Sequence, residues 1–356
     1  MLIISHIMDK ALHTWLSQYV RFDSIVFKSN LGDLIVDMFI SDKCNLRCKH
    51  CYFGNTRTIS PRLSTEDWKK VIGSLHAEGV RHFHISGRES SLDNRVLEIV
   101  SYIKSLEGTY SGLVSNGTGQ LVFYKTLIEE GIDYLEFSID GTEDTHNYIR
   151  GSKVFSKIMD TLEPLSQHSN IIDISTCLNK NSLDEYFTLV DRCIAFGIRK
   201  FFATPFLPKG NGETFGSFSL TPEMFSQLIK NSFAYLESKE GQKIVLKYCI
   251  PHEITLPMVE KGDYFRQLLV NYLTNKSELV YHVNGNLIQV ALNLLDVKYL
   301  SNISITSDGE VIPCADYISA INYLHYSIGN VSKTKLSDII QARDEIIKSN
   351  LNNLIK

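Results

Sequence analysis

Three cysteines are the residues with the clearest chemical potential in this chain. Cys44, Cys48 and Cys51 lie within eight positions and directly follow a predicted strand. Three thiolates on one short loop can bind three irons of a cubane iron–sulfur cluster and leave the fourth iron open to a small-molecule chelate. The alternatives are a zinc site with His50 as fourth ligand, or three unrelated buried cysteines. Structural zinc usually takes four ligands from paired knuckles, and the sequence has no second Cys-x-x-Cys pair.

The elements that must position this loop alternate regularly from about residue 34 to residue 240. Between the predicted strands lie runs with helical spacing of apolar residues, and Ser64 followed by Asp67 predicts the start of the first of these helices. Six β–α units in a row predict a parallel sheet. Since eight units close a barrel, the fold class is α/β, a partial (β/α)6 TIM-like barrel. The predicted strands cover residues 34–40, 82–86, 110–115, 134–139, 171–178 and 200–204.

The pattern changes after about residue 240, where a small α+β domain is predicted for residues 241–356. Short strand-like runs cover residues 243–249, 283–290 and 302–306, and a helical run covers residues 336–347. Residues 307–310 (Ser-Asp-Gly-Glu) predict a hairpin turn. Residues 1–33 form an N-terminal extension with a predicted helix at 10–19, and the glycine-rich residues 210–216 are the expected mobile loop.

Composition and charge argue against several classes of protein. The net charge of −4 gives no reason to expect a nucleic-acid or membrane partner, and no apolar run is long enough to span a bilayer. The N-terminus lacks the basic-then-apolar order of a signal peptide. Seven cysteines, an odd number with three crowded together, favour thiols kept reduced in a cytoplasm over a secreted disulfide framework.

The Cys-x-x-x-Cys-x-x-Cys spacing on the loop after the first strand resembles the signature of the radical S-adenosylmethionine (SAM) superfamily. In that family the open iron holds the amino and carboxylate groups of SAM. An electron from the cluster then cleaves SAM to methionine and a 5′-deoxyadenosyl radical, which abstracts a hydrogen atom from the substrate. The resemblance implies a [4Fe–4S] cluster, SAM and a flavodoxin- or ferredoxin-type electron donor.

Later strand ends extend the resemblance over about residues 34–210. Gly87 and Glu89 match the family's Gly-Gly-Glu-Pro motif, whereas Arg88 and Ser90 depart from it. In relatives, a serine placed like Ser138 lies near the ribose of SAM and an arginine placed like Arg150 pairs with its carboxylate, a geometry that suits a guanidinium fork. The positions implied to contact SAM are His50, Tyr52, Gly87, Glu89, Ser115, Asn116, Ser138 and Arg150.

The C-terminal segment resembles the extension called SPASM or, when shortened, twitch, which carries auxiliary iron–sulfur clusters. A full SPASM domain has about seven cysteines, but this segment has Cys314, with Cys249 upstream. The number of available ligands therefore argues against a second cluster. Cys249 or Cys314 could donate a hydrogen atom to a substrate radical, ligate iron, or be inert. Cys177 and Cys193 lie on a predicted core strand and an apolar helix, where free cysteine is often simply buried.

Three functions remain open at this point. The resemblance favours a maturase that crosslinks or epimerises a ribosomally made peptide. A tailoring enzyme of sugar, nucleoside or antibiotic biosynthesis is the second hypothesis. A non-catalytic iron–sulfur partner protein is the third, and the altered Gly-Arg-Glu-Ser segment is the feature that favours it.

Overall fold

A computed structural model describes residues 31–54, 62–250, 279–292, 302–313 and 323–355. The predicted helix at 10–19 and Cys314 lie outside these residues. The strands are β1 (Ile35–Met38), β2 (His82–Ile85), β3 (Tyr110–Ser115), β4 (Tyr134–Ser138), β5 (Ile172–Leu178), β6 (Lys200–Pro205), β7 (Val245–Ile250), β8 (Leu279–Val283), β9 (Asn286–Leu292), β10 (Asn302–Ile305), β11 (Glu310–Ile312) and β12 (Gly329–Asn330).

The α-helices connect and flank these strands. They are α1 (Thr65–Ala77), α2 (Arg95–Ser105), α3 (Leu121–Glu129), α4 (Glu143–Arg150), α5 (Val154–Leu165), α6 (Tyr186–Ile194), α7 (Pro222–Glu237) and α8 (Leu336–Ile355). Helix α1 begins as predicted, because the Ser64 side chain accepts from the backbone N–H of Asp67 while the Asp67 carboxylate accepts from that of Ser64. None of the helices in the described part of the chain is long and apolar enough to cross a membrane.

Strands β1 to β7 lie side by side in chain order and pair parallel. Along β5, residues alternate between buried and half-buried positions. The buried set packs with the apolar faces of the helices in one continuous core, and the half-buried set faces the inside of the curved sheet. The predicted α/β partial barrel is confirmed, and all loops that follow β1 to β6 meet at one end of it.

The C-terminal strands extend the sheet at both of its edges. Strand β10 pairs parallel with β1, with Ile305 opposite Met38, while β9 pairs parallel with β7. Strand β7 itself, just beyond the predicted boundary at residue 240, is a further strand of the same sheet. The division of the chain at residue 240 stays a prediction.

Two local predictions were wrong. The run 283–290 was predicted as one strand, but Asn284 and Gly285 form a turn with φ of 46° and 82° between antiparallel β8 and β9. Asn-Gly is the strongest short hairpin signal, so the sequence did carry this information. Residues 210–216 were predicted as a loop, but they belong to a 3₁₀ helix, Gly210–Phe218. The hairpin turn at 307–310 is confirmed between β10 and β11.

Candidate active site

The cysteine loop leaves the carboxyl end of β1 and keeps its three thiols close together. Cys48 is buried, whereas Cys44 and Cys51 are half-buried. The backbone N–H of Leu46 points at the Cys44 sulfur, 3.4 Å away, and Arg47 Nη1 donates to the carbonyl of Cys44 at 3.1 Å. Burial raises the pKa of the Cys48 thiol to about 11, although Arg150 opposes this. The Cys48 thiol without metal is therefore neutral at pH 7.

Hydrogen bonds tie this loop to neighbouring strand ends. Asn45 receives a bond from Asn116 Nδ2 (2.9 Å) and donates one to Thr118 Oγ1 (2.7 Å), both on the turn after β3. The backbone N–H of Lys49 donates to the carbonyl of Ile149 on α4 at 2.9 Å. These contacts join elements that lie 71 or more positions apart along the chain.

The 3₁₀ helix Gly210–Phe218 covers the other side of the loop. Asn211 donates its backbone N–H to the carbonyl of Cys51 (2.9 Å) and its side-chain amide to the carbonyl of Cys48 (3.2 Å). Gly210 has φ of +58°, and a Cβ there would lie 2.4 Å from the carbonyl oxygen of Tyr52. A glycine is needed at this close approach of two backbones.

Asp140, one residue after Ile139 at the end of β4, connects three parts of the site. Its fully buried carboxylate accepts from Arg150 Nε (2.5 Å) and Nη2 (3.2 Å), from His50 Nε2 (2.7 Å), and from the backbone N–H of Cys177 (3.0 Å). Burial alone would raise the pKa of Asp140, but Arg150 and His50 hold it well below its usual value. Asp140 is therefore an anion that orients both His50 and Arg150.

His146 lies beside Asp140 and is a neutral imidazole. Its Nδ1 accepts the backbone N–H of Asp140 at 3.1 Å. Burial and, secondarily, the Arg150 charge lower the pKa of His146 to about 3. The His146 ring therefore fixes the Asp140 backbone without adding charge.

Glu89, on the segment after β2, is a second buried carboxylate with several donors. Its Oε1 accepts from Ser91 Oγ (2.6 Å), Ser91 N–H (3.1 Å) and Ser115 Oγ (2.7 Å), and its Oε2 accepts from the backbone N–H of Asn116 at 2.7 Å. The carboxylate oxygens are thus engaged with the protein itself. Glu89, Ser115 and Asn116 form one network that holds the ends of β2 and β3 together.

The backbone beside Glu89 also contacts the cysteine loop. The N–H of Glu89 donates to the carbonyl of Lys43 at 2.9 Å, one residue before Cys44. Gly87 has φ of +108°, and a Cβ there would lie 2.5 Å from the Phe39 ring. A side chain at Gly87 would therefore disturb both its backbone and the residues that follow β1.

An apolar pocket beside His50 is open to solvent. Three phenylalanines and Tyr148 supply most of its wall, and the Lys49 ammonium lies 3.1 Å from the centre of the Tyr148 ring. Aromatic walls suit a flat, uncharged ring. The lining residues are Lys49, His50, Tyr148, Ile149, Asn179, Phe206, Phe215 and Phe218.

The inside of the partial barrel, below this end, is polar. His84 on β2 pairs with Asp37 on β1 at 2.6 Å, and this pairing raises the pKa of His84 even though burial opposes it. Glu136 on β4 lies opposite Asp173 on β5. Burial raises the pKa of Glu136, and His84 and Ser175 act in the opposite direction.

Asp173→Asn is expected to stabilise the protein above neutral pH. Burial raises the pKa of Asp173 from 3.8 to about 6, only partly offset by Lys200, so the folded state favours the protonated carboxyl. That contribution is complete below pH 3.8 and is lost as pH rises through about 6. We expect the variant to gain up to about 2 kcal/mol over wild type at pH 8, and much less at pH 4.5, in urea unfolding.

The exposed Asp160 on α5 offers the control for this measurement. Asp160→Asn removes the same charge and should leave the difference from wild type within about 0.5 kcal/mol at both pH values. Equal stability of Asp173→Asn and wild type across the pH range would contradict the burial argument.

The donor set fits an iron–sulfur cubane better than a single metal ion. Within the described ranges, no three His, Cys, Asp or Glu side chains converge on one point as a mononuclear site requires. The three thiols nevertheless act on one another electrostatically. A cubane binds each thiolate through a different iron, so its ligands surround a larger object, and iron supplies the positive charge that deprotonates a buried thiol.

The remaining residues predicted for the site lie at or near the same end. Tyr52 is 37% exposed, and its ring is tilted by 32° against that of Phe53, with ring centroids 4.2 Å apart. Ser138 Oγ lies 3.3 Å from Ser175 Oγ on the adjacent strand. Cys249 lies near the carboxyl end of β7, half-buried and opposite Ala291. Roles for these side chains in cofactor binding or catalysis stay predictions, as does any role of Cys314.

The other two cysteines differ from each other. Cys193 is buried in the core face of α6, where burial raises its pKa to about 12, and it plays the structural part predicted for it. Cys177 is half-buried on the inner face of β5, near Cys48 and Arg150. Sequence reasoning missed this position of Cys177, as well as the linking roles of Asn45, Asp140 and Asn211.

Curated relatives share parts of this chain. The sporulation killing factor maturation protein SkfB of Bacillus subtilis is 30% identical over 160 residues, which are 44% of this chain and 39% of that protein. The PqqA peptide cyclase of a Methylobacterium species is 34% identical over 108 residues, 29% of this chain and 28% of that protein. The match thus spans well under half the length of either relative. Fe-coproporphyrin III synthase of Methanosarcina barkeri is 23% identical over 320 residues, 87% of this chain and 74% of that protein.

Solved structures share the fold. Streptococcus suis SuiB bound to S-adenosylmethionine superposes with a TM-score of 0.61 at 16% identity, over 86% of this chain and 65% of that one. The enzyme anSMEcpe with bound AdoMet gives a TM-score of 0.64 at 19% identity, over 89% of this chain and 83% of that one.

Family models match two segments of the chain. The radical SAM superfamily model matches residues 38–193, and the SPASM model, an iron–sulfur cluster-binding domain, matches residues 299–352. The first segment runs from β1 through the cysteine loop to α6, and the second includes β10 to β12. The superfamily uses a [4Fe–4S] cluster and SAM. Residues 38–193 therefore form a radical SAM domain, and residues 299–352 form a SPASM-type C-terminal domain.

Proposed function

We propose that this protein is a radical SAM enzyme that modifies a ribosomally made peptide by crosslinking or epimerisation. In this proposal Cys44, Cys48 and Cys51 hold a [4Fe–4S] cluster, and SAM binds next to it. When bound and reduced, the pair supplies a 5′-deoxyadenosyl radical able to take a hydrogen atom from a carbon of the substrate. We expect a cytoplasmic flavodoxin- or ferredoxin-type protein to supply the electron.

The observation that carries the proposal is the anchored cysteine loop. Bonds from Asn45 to the turn after β3, from His50 to Asp140, and from Asn211 to the loop carbonyls hold three thiols at the carboxyl end of a parallel sheet. Ligands of parallel α/β folds bind at this end. A loop held from three sides presents its ligands in one arrangement, which a cluster with an open iron requires.

Different residues around this loop would bind different groups of SAM. Arg150, oriented by Asp140, would bind the carboxylate, because its guanidinium lies beside the cysteine loop. The segment from Gly87 to Glu89, fixed by the Glu89 network, would offer backbone groups to the amino group. The aromatic pocket beside His50 would stack on the adenine.

The proposal of a peptide substrate is supported by the relatives of this chain. SkfB is a maturation protein and PqqA peptide cyclase acts on a peptide by name. Among the structures with this fold, SuiB is also known bound to the precursor peptide SuiA, and anSMEcpe bound to AdoMet and the Kp18Cys peptide. These are similarities of sequence and fold, so the substrate is carried over by analogy.

A small-molecule substrate is the second candidate. Fe-coproporphyrin III synthase matches this chain over 87% of its residues, and the AdoMet-dependent heme synthase of the same organism is 27% identical over 59%. A substrate of tetrapyrrole size would have to enter the polar inside of the barrel. Its carboxylates would meet Asp37 and Glu136 there together with His84 and Lys247, so the charges inside the barrel do not decide between the two substrates.

Reductive cleavage of SAM is the direct test. Anaerobically reconstituted protein, given dithionite and SAM, is expected to release 5′-deoxyadenosine, and Cys48→Ala is expected to release none because one iron loses its ligand. Cys193→Ala is the matched control: it removes a buried cysteine outside the site and should keep both cluster and cleavage.

Substrate class is decided in the same assay. Short peptides and a set of iron tetrapyrroles with carboxylate side chains, Fe-coproporphyrin III among them, are each added. The compound whose addition consumes SAM stoichiometrically, with a mass change in that compound, identifies the class. Protein that loads iron and sulfide yet never cleaves SAM, with any addition, would contradict the proposed function and favour a non-catalytic iron–sulfur protein.

A further inference from the structure

Arg88 stands where the radical SAM motif usually has glycine, and its position is fixed from both ends of the cysteine loop. The backbone bond from Glu89 N–H to Lys43 carbonyl (2.9 Å) sets Arg88 beside Cys44. The Arg88 guanidinium lies 5.8 Å from the centre of the Phe53 ring, two residues after Cys51.

Phe53 is itself held firmly. It is 7% exposed, lies edge-on to Phe39 with centroids 5.5 Å apart, and packs with Ile312 and Cys51 in a small apolar cluster. A guanidinium over such a ring gains cation–π attraction and cannot swing freely into solvent. Arg88 is half-buried, so its charge is only partly screened by water.

Two guanidiniums approach the cysteine loop from different sides. Arg88 lies against Phe53, which packs with Cys51. Arg150 instead lies on Asp140, whose carboxylate also holds His50, between Cys48 and Cys51. Arg88 is therefore a second cation beside the loop, and it is independent of the pair between Arg150 and Asp140.

We infer that Arg88 raises the reduction potential of the cluster held by Cys44, Cys48 and Cys51. The inference rests on the proposed function, because it assumes that a [4Fe–4S] cluster binds there. One electron from dithionite takes such a cluster from the 2+ to the 1+ state and adds one negative charge. A cation beside the ligand sulfurs stabilises that added charge, and net charge near a cluster is one of the factors that set its potential.

The test is a redox titration of the loaded cluster without SAM, followed by its absorbance and its electron paramagnetic resonance signal. Arg88→Gln and Arg88→Met remove the charge, and the second keeps an aliphatic stem over Phe53. We expect the reduction equilibrium to become about tenfold less favourable in both, a fall of about 59 mV for a one-electron couple. Arg88→Lys keeps the charge and should stay close to wild type.

Lys43→Gln is the matched control, since Lys43 is an exposed cation one residue before Cys44. The reduction potential of the cluster in this variant should equal that of wild type because water screens the charge of Lys43.

Iron and sulfide contents are measured for every sample. Wild type without a cluster would overturn the proposed function itself. A loaded Arg88→Gln or Arg88→Met that titrates like wild type would overturn only the inference, as would Arg88→Lys behaving like Arg88→Gln. A loss of SAM affinity with unchanged potential would place Arg88 on the SAM carboxylate instead and also overturn it.

Discussion

Asp140→Asn is expected to lower the free energy of unfolding of the metal-free protein by about 3–5 kcal/mol. The substitution keeps the size of the side chain but removes the anion that accepts from Arg150 and His50. Arg150, with 11% of its side chain exposed, would then be a buried cation without its counter-charge. An asparagine also turns an N–H₂ group toward groups that are themselves donors.

The same variant is expected to lose its cluster. His50 lies between Cys48 and Cys51, and its bond to Asp140 fixes that stretch of the loop against β4 and β5. Urea unfolding of the metal-free protein and iron content after reconstitution measure the two effects separately. Asp160→Asn on the surface of α5 is the control. Wild-type stability and iron content in Asp140→Asn would show that Asp140 does not organise the site.

Glu89→Gln is expected to weaken SAM binding at least tenfold and to lower the free energy of unfolding by about 3 kcal/mol. The Glu89 oxygens accept four bonds, and hydrogen bonds to a charged group contribute about 1.5–3 kcal/mol each. The amide of glutamine must face a donor on one side, so the segment from Gly87 to Glu89 would shift away from the cysteine loop. Calorimetric titration of the loaded protein with SAM measures the affinity.

The control for this experiment removes one negative charge outside the hydrogen-bond network of Glu89. Glu129, exposed on α3, gives the control Glu129→Gln, which should leave SAM binding and stability at wild-type values. If Glu89→Gln bound SAM as tightly as wild type, the network around Glu89 would be structural only.

Much of this fold followed from the sequence because the signals were local. Apolar runs with period two or 3.6 predicted β1 to β6 and the helices between them, and Ser64 with Asp67 predicted the start of α1. The cysteine spacing was likewise local, and it placed the loop at the carboxyl end of β1. Parallel pairing then required the later motifs to meet at that same end.

The features of the site that the sequence did not predict depend on contacts between residues that are distant along the chain. Asn211 contacts Cys48 across 163 positions, and Asp140 contacts His50 across 90. No pattern in a single sequence states such a partnership. Glu89 is a second example. Its motif suggested a direct contact with SAM, but the sequence did not predict the four hydrogen bonds that its carboxylate accepts within the protein.

The pairing of β10 with β1 has a consequence for the order of events in a cell. Ile35 finds its partner Asn302 only 267 positions later in the chain. At translation rates of about 5–20 residues per second, β1 waits roughly 13–50 s for that neighbour. Until then the strand that leads into the cysteine loop is an unprotected edge, open to wrong pairing. Iron–sulfur assembly on this loop is therefore expected only after β10 has emerged from the ribosome and paired with β1.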